Sequence, residues 1–156
     1  MPYINWKIAG AAGEGIKVAG LMLSKTALRQ GYFVNGYSEY PSLIRGGHNT
    51  YQALISSENL PAPLIKLDLL IALNSDGVKL HHEEITDKTI ILANTQLYPD
   101  KRALHLPMSG MMKNTTALGA SCWFLNLDLQ ILNQILTETF SRKGEAIVSE
   151  NIAAAK

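Results

Sequence analysis

Cysteine is almost absent from this 156-residue chain: Cys122 stands alone. One thiol cannot close an internal disulfide, and it cannot supply the thiolate set of an iron–sulfur cluster or a cysteine zinc site. Such usage fits a reducing, cytoplasmic home. Charge of one sign is also lacking. Fourteen Lys and Arg against thirteen Asp and Glu leave a formal net charge of +1. No basic run exceeds two residues, so neither nucleic acid nor a membrane surface is an expected partner. No apolar run approaches the ~18 residues that a membrane-spanning helix requires. The opening Met-Pro-Tyr-Ile-Asn-Trp-Lys has no basic stretch leading into an apolar one, so no signal peptide is expected. Repeats, low-complexity segments and linkers are missing too, and residues 1–156 read as one domain.

What is present is a globular composition, 47% hydrophobic and only 17% charged. A domain of this length buries roughly two-thirds of its unfolded surface. So low a charge fraction suits either a large core or a surface covered by a partner. Ile4 to Ala9 reads as a buried strand, followed by Gly10-Ala-Ala-Gly13-Glu14-Gly15 and a helix. Ile16, Ala19, Gly20, Leu23 and Ala27 recur at helical spacing along one face, and Gly31 supplies a stop. Strands are expected over 32–40, 49–55, 67–73, 89–93 and 103–106. The 67–73 run is apolar enough to be buried on both faces. Ser75 or Asp76 is placed to cap a short helix running to about Ile85. Asn114 and Asp128 are placed to cap two later helices, the second ending near Gly144, with a third helix after Glu145. Alternating strands and helices predict a mainly parallel sheet covered on both faces.

The glycine turn is the leading chemical feature. Between a strand and a helix, glycines bring backbone N–H groups close to a ligand, and the helix N-terminus favours an anion such as phosphate. Its order, G-x-x-G-x-G, is not the dinucleotide fingerprint, and no Gly-Lys-Ser/Thr follows for a P-loop. Glu39 is the one acid near the end of the second strand, at a poor spacing for ribose recognition. Close strand–helix packing explains the same glycines equally well. The second feature is Arg45-Gly46-Gly47-His48, where a planar guanidinium beside a bare backbone suits a carboxylate or phosphate. An exposed turn would look the same. His81-His82-Glu83-Glu84 lacks metal-ligand spacing and is expected on a solvated helix face. His105 is expected as a satisfied core residue and Cys122 as a small core residue. Met108, Met111 and Met112 are expected as gap-fillers or as an adaptable patch. No catalytic set and no metal site emerge.

Taken together, Ala9 to Gly20, Gly31-Tyr32, the stretch Glu39-Tyr-Pro-Ser-Leu-Ile-Arg-Gly-Gly-His48, Asn114 to Gly119, and Gly144 to Ala154 make nearly the whole chain resemble one known domain. That domain is the gamma-type domain of 2-oxoacid:ferredoxin oxidoreductases. The family's usual turn is Gly-x-Gly-Gly-Gln-Gly; here Ala12 and Glu14 replace a glycine and the glutamine. The variant is similar to members whose gamma domain is fused ahead of a thiamine-binding alpha subunit.

The resemblance implies a three-layer α/β/α, Rossmann-like fold. It also implies membership of an enzyme that oxidatively decarboxylates a 2-oxoacid to an acyl-CoA and reduces ferredoxin. Thiamine diphosphate and iron–sulfur clusters would lie on partner alpha, beta and ferredoxin-type domains, and this chain alone would be inactive. Gly10, Gly13, Glu14, Gly15, Arg45, Gly46, Gly47 and His48 are the expected ligand-binding or partner-facing residues, with a possible coenzyme A contact. The competing readings are a free-standing nucleotide- or CoA-binding regulatory module, and a structural subunit without a ligand.

Overall fold

A computed structural model describes residues 3–40, 47–60, 64–97 and 99–156. Arg45 and Gly46 lie outside the described residues. Six strands form one sheet in the order β2-β3-β1-β4-β5-β6. They are β1 (Tyr3–Ala11), β2 (Phe33–Glu39), β3 (His48–Ser56), β4 (Leu69–Ala72), β5 (Ile90–Ala93) and β6 (Ala103–His105). Three of the five pairings are parallel: β1 with β4, β4 with β5 and β5 with β6. The pairings of β3 with β1 and β2 are antiparallel. This α/β sheet is therefore parallel on one side of β1 and antiparallel on the other.

Four helices cover one face: α1 (Ile16–Arg29), α3 (Lys113–Phe124), α4 (Leu129–Phe140) and α5 (Glu145–Ala154). Alternation along β1 sends Trp6 and Ile8 into the core beneath them, with Tyr51 and Ile55 of β3 and Ile71 of β4. Helix α1 has no side-chain cap at its N-terminus and carries Gly20 in its middle. Burial of Ile16, Met22 and Leu23 outweighs these local defects. Each such side chain contributes about 1.5–3 kcal/mol when fully buried, against about 1 kcal/mol lost to an interior glycine. The Trp6 indole Nε1–H donates to Ser121 Oγ at 2.9 Å, which satisfies the one polar atom of the largest core side chain. Trp123, the other tryptophan, is 72% exposed and stacks edge-on against Phe124.

The opposite face is covered much more thinly. Its only described helix is α2 (Asp76–Lys79), a single turn that packs Val78 on Leu70, Ala72 and Ile91. The helix expected to reach Ile85 thus ends at Lys79. The following residues fold as turns because His81 and Glu84 point inward rather than along a solvated face. The side chain that caps α2 is that of Asn74 and not of Ser75 or Asp76, its Oδ1 accepting from the N–H groups of Asp76 and Gly77 at 3.1 Å. Asn114 does not cap α3, since it lies inside the first turn after Lys113 and no side chain caps that end. Asp128 does cap α4, Oδ1 accepting from Gln130 N–H at 2.7 Å. His105 is exposed on the edge strand β6, where its Nδ1 lies 3.1 Å from Thr95 Oγ1, so it is not a core residue. Cys122 is fully buried, and burial pushes its thiol up to about 12. Met108 fills the core at 3% exposure, whereas Met111 is 93% exposed. No helix among the described residues is long and apolar enough to cross a membrane.

Gly119 marks the closest approach of α3 and α5, because a Cβ at that position would collide with the backbone carbonyl of Ala155. Backbone cannot swing aside as a side chain does. Gly119→Ala is therefore expected to lower unfolding stability by about 1–3 kcal/mol, the usual cost of overpacking. Urea denaturation measures it, and an unchanged midpoint would show that α5 moves freely on α3.

Candidate functional site

The glycine turn joins β1 to α1 and sits at the edge where β1 pairs with β3. Gly10 lies opposite Asn49, and Ala11, the last residue of β1, is paired with His48. Gly13 and Gly15 have φ of +90° and +74°, values that L side chains rarely adopt. Ala12 N–H donates to the carbonyl of Gly47 at 2.9 Å. Two stretches far apart in sequence, Gly10–Gly15 and Gly47-His48, are thereby bonded to one another.

Glu14 folds back over this turn. Its Oε2 accepts from Ala11 N–H at 2.7 Å, and its Oε1 pairs with the Lys113 ammonium. Both side chains are about one-fifth exposed. The Glu14 backbone N–H is used by Ala11 carbonyl at 3.2 Å, so it is not free to meet a ligand as the turn's spacing suggests. Asn114 lies against Gly15. The uncapped N-terminal ends of α1 and α3 therefore converge on an open cavity of about 390 Å³. It is lined by Gly13, Glu14, Gly15, Gly110, Met111, Lys113 and Asn114. Two helix ends and a lysine make this mouth favourable for anions, and the Glu14 carboxylate occupies part of it.

A second polar cluster lies on the thinly covered face. Lys7 is 1% exposed in the middle of β1, opposite Gln52 of β3. Its ammonium pairs with Glu84 Oε2, and the other oxygen of Glu84 lies 2.6 Å from His81 Nδ1. His81 Nε2 lies 2.9 Å from His48 Nε2. Beside this line Asn5 is sealed in turn. Its Nδ2 donates to the carbonyls of Leu64 and Lys66, and its Oδ1 accepts from Gln52 Nε2. Burial works to raise the Glu84 carboxyl, but the bonds from His81 and Lys7 outweigh it and hold the group below the usual carboxylate range. Burial, then the neighbouring His81, holds the His48 imidazole below its ordinary value. Lys7 adds to this, while Asp76 and Glu14 oppose it.

Of the residues expected at the site, Gly10, Gly13, Glu14, Gly15, Gly47 and His48 are brought together; Arg45 and Gly46 lie outside the described residues. Sequence reading missed Lys113 and the chain Lys7–Glu84–His81. The second had a signal, since Asn5 and Lys7 alternate with Ile4, Trp6 and Ile8 in what otherwise reads as a buried strand. A lysine there demands an acid from elsewhere. His82 is exposed, as expected for that segment, whereas His81 is 7% exposed and is not on a solvated face. Among the described residues no group of three or more His, Cys, Asp or Glu has the arrangement to hold a metal ion.

Known relatives and solved structures resemble this chain. The 2-oxoglutarate synthase subunit KorC of Archaeoglobus fulgidus is 24% identical over 161 residues, an alignment covering 97% of this chain and 83% of that one. A 2-oxoacid:ferredoxin oxidoreductase alpha subunit of a Sulfolobus species is 31% identical over 84 residues. That match takes in 54% of this chain and only 13% of the much longer relative. The 2-oxoglutarate:ferredoxin oxidoreductase of Magnetococcus marinus, solved with 2-oxoglutarate, coenzyme A and succinyl-CoA bound, superposes with a TM-score of 0.91. Identity there is 27%, and the superposition covers 99% of this chain and 30% of that one. The pyruvate ferredoxin/flavodoxin oxidoreductase family model matches residues 5–156, and the chain belongs to that family.

Proposed function

We propose that the chain is the gamma-type component of a 2-oxoacid:ferredoxin oxidoreductase, the accessory domain beside an active site that turns a 2-oxoacid into an acyl-CoA. The superposition on the Magnetococcus marinus enzyme over 99% of the chain carries this reading. KorC, matched over 83% of its length, supports the same reading. Thiamine diphosphate and the iron–sulfur clusters belong on partner alpha, beta and ferredoxin-type chains. The donor set here does not fit a cluster, because the one thiol is buried in an apolar core and held protonated. A reducing cytoplasmic setting suits such an assembly.

For this chain the reading assigns the cavity between the glycine turn and α3 to a phosphate-bearing part of coenzyme A. The residues present fit that group in part. Backbone N–H groups at two uncapped helix ends and Lys113 favour a phosphate, whereas Glu14 competes for the same seat. The same reading gives Arg45, Gly46, Gly47 and His48 the role of contacting the ligand or the partner chain. Catalysis of bond cleavage is left to the partners, and this chain's part is to bind and orient.

Three outcomes test the reading. The purified chain is expected to be colourless and to give no 2-oxoacid-dependent dye reduction, with turnover appearing once the thiamine-binding and cluster-bearing subunits are added. Turnover by the chain alone after rigorous purification would sink it. Inorganic pyrophosphate followed by amide NMR is expected to shift residues 13–17 and 113–115. Glu14→Gln should tighten that binding several-fold by removing the competing charge. Shifts confined to distant residues would leave the turn as a packing device. Arg45→Ala is expected to change stability by no more than about 0.5 kcal/mol while lowering turnover or assembly of the complete enzyme. A clearly destabilised chain with normal turnover would make Arg45 a structural residue.

A further inference from the structure

The line Lys7–Glu84–His81–His48 has no part in the anion seat, and its chemistry follows from which atoms carry hydrogens. Glu84 is ionised, held by Lys7 on one oxygen and His81 on the other, so both its oxygens accept. His81 Nδ1, 2.6 Å from Glu84 Oε1, must then carry a hydrogen, since two lone pairs would repel at that distance. The approach of Lys7 Nζ to the same nitrogen, at 3.4 Å, is the weaker contact and does not compete. With both rings neutral, His81 Nε2 is a lone pair that accepts from His48 Nε2–H across 2.9 Å. That leaves His48 Nδ1 as a bare lone pair. It is buried and has no hydrogen-bond partner, the only such side-chain atom found among the described residues.

One extra proton on this pair has a single place to go. The hydrogen between the rings stays between them, whichever ring formally holds the charge, and the hydrogen on His81 Nδ1 stays on Glu84. The added proton therefore sits at His48 Nδ1. We infer that His48, His81 and Glu84 form a proton relay whose exchange position is Nδ1 of His48. In the uptake an O–H bond of hydronium breaks and its electron pair stays on the water released. The proton binds His48 Nδ1, the bridging hydrogen moves toward His81 Nε2, and Glu84 offsets the cation. Lys7 keeps Glu84 ionised throughout. The other charged groups facing His48 are Asp76 from α2 and Glu14 from the glycine turn, both of which favour the cation. The relay does not depend on coenzyme A being the ligand of the neighbouring cavity.

Two-bond proton–nitrogen NMR of the full chain with labelled histidine reads both tautomers directly at about pH 8, where an unperturbed imidazole is neutral. His48 is expected to carry its hydrogen on Nε2 and His81 on Nδ1, and acidification is expected to protonate His48 Nδ1 first. His48 found with its hydrogen on Nδ1 at that pH would overturn the relay. Glu84→Gln supplies a second test. The Lys7 ammonium needs an acceptor and takes the single amide oxygen, so the amide N–H₂ faces His81 Nδ1. Both rings should then flip, which puts the His48 hydrogen on Nδ1. A folded variant that keeps it on Nε2 refutes the proposal, and if the variant does not fold, the tautomers of the unaltered chain decide alone.

Discussion

Strand β1 is paired on both edges, antiparallel to β3 and parallel to β4, and both faces of the molecule are organised by that position. From Trp6 to Ala9 the strand is paired on both edges, and its side chains must satisfy two different environments. Trp6 and Ile8 meet the apolar core beneath the helices. Asn5 and Lys7 meet one helical turn and a set of loops, which cannot bury an unpaired amide or ammonium. The amide is therefore closed by carbonyls and Gln52, and the ammonium by Glu84. Removing one member of such a buried pair leaves the other without a partner, a change that typically costs about 3–5 kcal/mol. The polar cluster is thus a condition for the strand lying where it does.

The end of the same strand sets the geometry of the site. Because Ala11 still pairs with His48, the glycine turn cannot leave β1 without also fixing where the 47–48 link lies. The turn's shape and the position of Gly47-His48 are one arrangement held by backbone bonds. Glu14 then closes the turn from above. A carboxylate held by a backbone N–H and a lysine is a weak internal substitute for an external anion, because the pair is partly exposed and screened by solvent.

Much of this was readable in the sequence. The strand–glycine–helix start, the strands near 32–40 and 49–55, and the Asp128 cap follow from spacing and local hydrogen bonding alone. The resemblance carried by the 39–48 stretch named the family. What local reading lost were effects of tertiary contact. Asn114 has a capping side chain, but a 3-10 turn at Gly110–Met112 leads straight into α3 and leaves no cap position for it. His81 and Glu84 look like solvated residues until a buried lysine 74 or more positions earlier claims them. The His105 strand is apolar in sequence but lies at the sheet's edge. Spacing along a chain does not report which edge a strand occupies, nor which charge lies across the sheet.

The two tryptophans sit at opposite extremes of solvent exposure. Trp6 is sealed in the core with its indole hydrogen-bonded to Ser121, while Trp123 stands 72% open at the end of α3. The chain therefore carries two intrinsic fluorophores with separable environments, one blue-shifted and shielded, the other red-shifted and open to a soluble quencher. Loss of the shielded signal reports unfolding of the sheet. A change confined to the open one reports only events on the α3 surface, so folding and docking can be followed in one sample without a label.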